Sequence, residues 1–287
     1  MKFSEKKKGF LLVWFGIIIY SFETLLVSEA NVSGILSGFW RGFYVFLVLV
    51  IIFPLKYRKN TVAELKKGHG GVLISGLLWG ISGICYNISV HKAGSSISLI
   101  CLSLVPIMSI ILEAIFLNEK CDKIDLLAIA VSIFGIYYMF HNGIGTLKAS
   151  SLIYPFIVPL IMAINYTYLR KEKEVSRMGS SMTGGIIAAI LGAVLLKGQV
   201  RVSSNTMIYL MILGLIVIPL GQIMMGTGTK YLKASQVTLI GSLESVWGLL
   251  AVWIFLRTAP SKDQLIGGII VFIAVSANLL RQVITEK

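Results

Sequence analysis

The 287 residues would suit one or two soluble domains by length alone, but 56% of them are hydrophobic and only 14% are Asp, Glu, Lys or Arg. A soluble fold of that size cannot hide so much apolar surface, and large exposed apolar patches need lipid or a partner. The formal net charge of +13 is not gathered in a basic domain or on one amphipathic face. It sits between long apolar runs, so it reads as membrane topology rather than as a nucleic-acid footprint.

A helix needs about 20 mostly apolar residues to cross the hydrocarbon core. Ten segments qualify, at roughly 10–28, 36–55, 71–90, 96–117, 125–141, 151–169, 180–197, 207–229, 235–256 and 264–281. The expected fold class is therefore all-α integral membrane. Lys2, Lys6, Lys7 and Lys8 precede the first run. A signal peptide begins in the same way, but the run from Phe10 to Val27 is too long for its apolar core, so a retained first helix is expected. That span carries Glu23, and Arg41 opens the second. The loop around Lys56–Gly70, about 15 residues long, is the longest connection and too short for a soluble catalytic domain.

The third span has Gly76, Gly80 and Gly83 on one face, with Trp79, Tyr86 and Asn87 near its centre. Small residues at this spacing let helix backbones approach in lipid. Pro106 falls inside the fourth span and Pro219 inside the eighth; each removes a backbone hydrogen bond and favours a kink. Glu113 lies one turn before the end of the fourth span, where snorkelling or a contact with Lys120 is expected, and Glu119 is placed to cap or bridge helices. Asn165 and Tyr166 lie in the sixth span, Gln222 in the eighth, and Gly241, Glu244, Trp247 and Gly248 in the ninth. Gly267 and Gly268 mark the tenth. Cys85, Cys101 and Cys121 form no CxxC and read as small hydrophobes. His69, His91 and His141 have no second ligand at helical spacing, so no metal site is expected.

Orientation follows from the positive-inside rule. With the N-terminus in the cytoplasm, 19 Lys and Arg fall inside and 6 outside, with Arg41 left near the outer end of the second span. Both termini are then cytoplasmic, and the even number of spans is supported. The chain also repeats. A shift of 139 residues carries Ser96 onto Ser235, Ser103 onto Ser242, Ile115-Phe116-Leu117 onto Ile254-Phe255-Leu256, Lys123 onto Lys262 and Leu126 onto Leu265. Spans 4 and 5 thus match spans 9 and 10. Two five-span repeats, 1–147 and 148–287, would insert upside down relative to each other because each holds an odd number of helices. Inverted repeats are a common way to build two alternate states around a midplane site.

The run from Gly226 through Lys230-Tyr231-Leu232-Lys233-Ala234-Ser235 and Gly241-Ser242-Leu243-Glu244 to Leu256 resembles the helix 8–9 region of EamA-type drug/metabolite transporters. Pro260-Ser261 and Gly267-Gly268 continue the pattern. In the first half, Ala93-Gly94-Ser95-Ser96, Pro106, Leu117-Asn118-Glu119-Lys120 and Arg41 resemble the same motif. The chain departs from the family at Arg257-Thr258, where Gly-Glu is usual, at Ser245 in place of Pro, and at Asn118 in place of Gly. The resemblance implies ten helices in two inverted repeats and transport of a small molecule. The family includes exporters and importers of amino acids, nucleotide-type compounds, vitamins and drugs.

Ionisable groups at membrane depth are costly and are functional candidates by default. Glu244 is central in its span, placed to bind a substrate amine or carry a proton. Glu23 and Arg41 read as an ion pair, either structural or an outer gate, or as a holder for the two ends of a zwitterion. Trp79, Tyr86, Asn87, Asn165, Tyr166, Gln222 and Trp247 complete the expected substrate-binding set, since small-molecule pockets mix aromatic walls with a few polar groups. Trp247, three residues after Glu244, is expected on the same helix face. No nucleotide-binding loop, nucleophile elbow or carboxylate cluster appears, so neither an ATP-driven machine nor a membrane enzyme is expected, and no cofactor is implied. The expected partners are a small-molecule substrate, the lipid bilayer and candidate coupling protons, with either a monomer or a homodimer compatible. The expected activity is secondary transport at the cell (inner) membrane, export of amino acids or related compounds being favoured. Uptake of a vitamin- or nucleoside-like metabolite is the alternative, and a non-transporting membrane subunit or a polytopic membrane enzyme is a lesser reading.

Overall fold

A computed structural model describes residues 2–68, 70–119, 123–140, 149–257 and 261–285, and every regular element among them is helical. The expectations that involve His69, Lys120, Cys121, His141, Lys148, Thr258, Pro260, Lys287 and the repeat boundary at 147 lie outside the described residues.

The helices group into ten rods in chain order. These are α1 (Lys2–Tyr20 and, after a break, Glu23–Ala30), α2 (Gly34–Tyr57), α3 (Gly71–Ala93), α4 (Ser95–Leu102 and Val105–Phe116) and α5 (Lys123–Phe140). They are followed by α6 (Ala149–Lys171), α7 (Arg177–Leu195), α8 (Ser204–Ile212, a π turn at Leu213–Val217, and Ile218–Gly228), α9 (Ala234–Gly241 and Leu243–Leu256) and α10 (Lys262–Thr285). A short helix, Thr61–Lys66, links α2 to α3. Seven rods, α1–α4 and α6–α8, are long and apolar enough to cross a membrane by length and composition. The other three occupy the positions of the expected fifth, ninth and tenth spans, with shorter apolar stretches at Leu126–Gly135 in α5 and Leu265–Asn278 in α10. Outward-facing side chains such as Phe15, Leu55, Leu73, Phe116, Phe134, Val194 and Ile254 are all more than half exposed, as expected where lipid is the solvent.

The breaks have local causes. Pro106 has no N–H to offer the carbonyl of Leu102, and the first half of α4 ends at that residue. In α9 the Ser242 hydroxyl donates to the Leu239 carbonyl at 2.6 Å, and in α1 the Ser21 hydroxyl donates to Ile17 at 2.7 Å. Serine hydroxyls that bond back to the preceding turn loosen and bend helices. In α8 the turn widens to π geometry just before Pro219, a usual cause of a local distortion.

The main helix contacts follow a swap rule. α3 packs on α6 and α1 on α8; α7 packs on α3 and α2 on α8; α2 pairs with α7, α4 with α9, and α5 with α10. Exchanging each helix for the one five places along maps this list onto itself, as a two-fold axis relating two repeats requires. α4 and α9 run antiparallel, since each half of one lies against the opposite half of the other. Glycines set the closest approaches. A Cβ on Gly42 would lie 2.7 Å from the Gly185 carbonyl oxygen, and one on Gly76 would lie 2.6 Å from Thr183 Cβ, so α7 slots against α2 and α3 with no room for side chains between them.

Candidate functional site

The breaks in α1, α4 and α9 converge on the middle of the bundle. Where α1 breaks, Tyr20 and Glu23 turn toward α2. Glu23 lies seven residues from the end of its helix and Arg41 seven from the start of α2, about 10 Å deep at 1.5 Å per residue. Arg41 Nε stands 3.0 Å from Glu23 Oε1, with side chains 5% and 2% exposed. An Arg41 terminal nitrogen donates to the Tyr20 hydroxyl at 3.3 Å. The expected ion pair is thus present, facing a cavity and not the outer surface. Gly83 makes it fit: a Cβ there would lie 2.0 Å from Arg41 Nη1. The third glycine of the α3 face therefore serves a guanidinium and not a neighbouring backbone.

Glu23, Arg41, Trp79, Ser82, Tyr86 and Glu244 line one narrow chamber of about 10 Å³, with Tyr20, Leu102 and Met162. A second narrow chamber of about 20 Å³ adjoins it, lined by Ile17, Val105, Tyr166, Met225, Thr238 and Gly241, and it shares Tyr20, Leu102, Met162 and Glu244 with the first. Glu244, two residues beyond the α9 break, stands on the boundary between a polar and an apolar chamber. It is 4% exposed, and its Oε1 has no hydrogen-bond partner among the described residues. Two carboxylates and one guanidinium thus share a buried space, leaving one negative charge that a proton or a cation would neutralise.

Of the expected binding residues, Trp79, Tyr86, Tyr166 and Glu244 line these chambers. Trp79 and Tyr166 meet edge to face at 5.5 Å, and the Tyr86 hydroxyl is bonded to Thr24 Oγ1. Four expected residues do not reach the cavity wall. Asn87 accepts from Ser37 at 2.6 Å and donates to the Gly83 carbonyl at 2.7 Å, joining α2 to α3. Gln222 accepts from Ser181 at 2.5 Å, joining α7 to α8 in the second repeat. Asn165 accepts from Ser75 at 2.7 Å, joining α3 to α6. In lipid such amides serve as interhelix bolts worth about 0.6 to 2 kcal/mol. Trp247 is 45% exposed on the outside of α9. Three residues on a helix advance about 300°, so Trp247 diverges from Glu244 by roughly 60° and leaves the narrow cavity-facing arc.

Tyr20, Met162, Met225 and Thr238 are wall residues that polarity alone does not single out. A signal for Tyr20 was its place one turn before Glu23 in the chain. The methionines carried none, because a flexible thioether fills any irregular gap.

One end of the bundle is held by charges on backbone. Glu113 is buried, and its two oxygens accept from Ala234 N at 2.6 Å and Ser235 N at 3.1 Å, capping α9 from α4. It neither snorkels nor reaches solvent, because helix N-terminal N–H groups attract a carboxylate. Glu119 bridges to Lys233 at 2.8 Å. Arg177 donates to the carbonyls of Leu169, Lys173 and Gly226, tying the ends of α6 and α8 to α7. Cys85 and Cys101 are free thiols.

No curated protein matches the chain. Among 27 matching chains of solved structures, one described as "Crystal structure of protein" superposes with a TM-score of 0.73. It covers 96% of this chain and 99% of its own length at 14% identity, which shows a shared fold. The sequence model of the EamA-like transporter family matches residues 7–141 and again residues 149–280. The two matches cover the two halves that the swap rule exchanges, and the chain belongs to the EamA-like transporter family.

Proposed function

We propose that this multi-pass membrane protein crosses the bilayer ten times as two inverted repeats, 1–147 and 148–287. In this reading it works as a secondary transporter by alternating access, exporting amino acids or related amines from a cell whose inner membrane holds both its termini on the cytoplasmic side. The observation that carries this reading is Glu244, a buried carboxylate with an unpartnered oxygen on the boundary between two chambers, beside an already paired Glu23 and Arg41. A substrate ammonium group and a proton compete for that one charge, and such competition is the simplest physical basis of exchange coupling. Arg41 supplies the complementary site for a substrate carboxylate, at the cost of its bond to Glu23. The aromatic walls Trp79, Tyr86 and Tyr166 favour a second reading, uptake of a flat vitamin- or nucleoside-like metabolite.

Flux of labelled amino acids and amines into proteoliposomes, with and without a pH gradient, tests this. Wild-type flux is expected to respond to the gradient, and Glu244→Gln is expected to transport without responding. A variant that keeps the full gradient response removes Glu244 as the proton site. Stimulation by a flat heterocycle but by no amine would favour the second reading.

A further inference from the structure

Outside the central chambers, a further recess opens on the flank of the bundle. It lies between the ends of α4 and α6, has a volume of about 190 Å³, and is lined by Leu112, Phe116, Leu117, Ile164, Thr167, Tyr168 and Lys171. Its α6 wall is a single helical face. Ile164, Thr167 and Lys171 are three and four residues apart, so they stack along one stripe about 10 Å long. The chemistry along that stripe is graded. Ile164 and Leu112 make the deep part apolar, and Phe116 extends that surface to the end of α4. Lys171 is exposed at the helix end and has no ion-pair partner among the described residues. One turn deeper sits Thr167, only 4% exposed, whose Oγ1 has no hydrogen-bond partner among the described residues. A threonine inside a helix ordinarily donates to the carbonyl of the preceding turn, so a buried hydroxyl without a partner beside a recess leaves a donor available to an acceptor from elsewhere.

We propose that this recess is a binding site for one anionic phospholipid, with its phosphate on Lys171, an ester carbonyl accepting from Thr167 and an acyl chain along Leu112, Phe116 and Ile164. The order of the three groups matches that of a phospholipid entering from the interface: anion, then acceptor one helical turn deeper, then hydrocarbon. Basic recesses between membrane helices select anionic headgroups by charge, and the apolar floor excludes a free phosphate as a stable occupant. The lipid would also brace α4 against α6 beside Glu113, the residue that caps α9. Neither the substrate nor the direction of transport enters this assignment.

The test is lipid retention by the purified full-length chain. The protein is exchanged from mixed phosphatidylglycerol and phosphatidylcholine vesicles into detergent, and bound lipid is counted by native mass spectrometry. Wild type is expected to keep one phosphatidylglycerol in preference to phosphatidylcholine. Lys171→Gln should reduce that preference about fivefold, whereas Lys56→Gln, an exposed lysine at the end of α2, should not. Thr167→Val should weaken both lipids alike, and Leu112→Trp, which fills the recess, should remove both. Soluble glycerol phosphate should not compete. Unchanged phosphatidylglycerol preference in Lys171→Gln, equal loss in Lys56→Gln, or retention by Leu112→Trp would each overturn the assignment. Thermal unfolding of each variant, read alongside, separates lost lipid from a lost fold.

Discussion

α4 and α9 are the same structural element built twice, and they differ where it matters. Each is a broken helix, and the breaks fall at Ser103 and Ser242, which the 139-residue shift superposes. The two breaks have different causes, a proline in α4 and a serine back-bond in α9. Two residues beyond each break a side chain enters the central space: Val105 in α4 and Glu244 in α9. The N-termini differ as well. α9 begins on the Glu113 carboxylate, whereas the position that matches Glu113 in the second repeat is Val252, which has no carboxylate to offer. The lesson is that the backbone break is the shared device and the charge is the specialised one. The two-fold arrangement supplies two equivalent places for an ionisable group at mid-depth, and one of them is used.

The largest effect should come from the pair that supports the polar chamber. Arg41→Met leaves Glu23 and Glu244 buried together without a counter-charge and should cost about 3–5 kcal/mol, read as a fall in thermal unfolding temperature in detergent. The double variant Glu23→Gln/Arg41→Met should be more stable than Arg41→Met alone; additive losses would show that the two charges do not depend on each other. Next is Gly83→Ala, which should cost about 1–3 kcal/mol by forcing the guanidinium out of its slot, with little further loss in an Arg41→Met background. Glu113→Gln follows. An amide oxygen can replace only part of a carboxylate that accepts two backbone N–H bonds, so about 1–2 kcal/mol is expected. The loss should be local to α9, with faster hydrogen exchange at Ala234 and Ser235.

The smallest stability effect sharpens the comparison most. Glu244→Gln removes a charge whose Oε1 has no partner and should be neutral or mildly stabilising, within about 1 kcal/mol. Moving the acid to the other repeat, Glu244→Val with Val105→Glu, should then fold with similar stability if the two positions are equivalent. A swapped protein that fails to fold while Glu244→Gln folds normally would show that the symmetry stops at the backbone.

Much of this was legible in residue order. Long apolar runs, lysines sorted by side and the matched serines point to membrane helices in two repeats. Glu23, Arg41 and Glu244 stand out because charges at that depth are too costly to be incidental. Asn87, Asn165 and Gln222 stood out by the same reasoning and proved to be bolts between helices. Depth in the membrane follows from position along the chain, but the direction a buried polar side chain faces does not. A hydrogen bond to the next helix and a place in the cavity wall make the same demand on residue type.

What the sequence determined by itself is therefore the solvent of this chain, the helices that solvent requires, and the repetition that carries residues 96–126 onto 235–265, because hydropathy and repetition are one-dimensional properties. Only the tertiary structure decided that three helix breaks meet at one point, that Gly83 exists to admit Arg41, and that Glu113 caps a helix from the other repeat. Each of these joins residues far apart in the chain, and which of them meet is settled by how the helices pack.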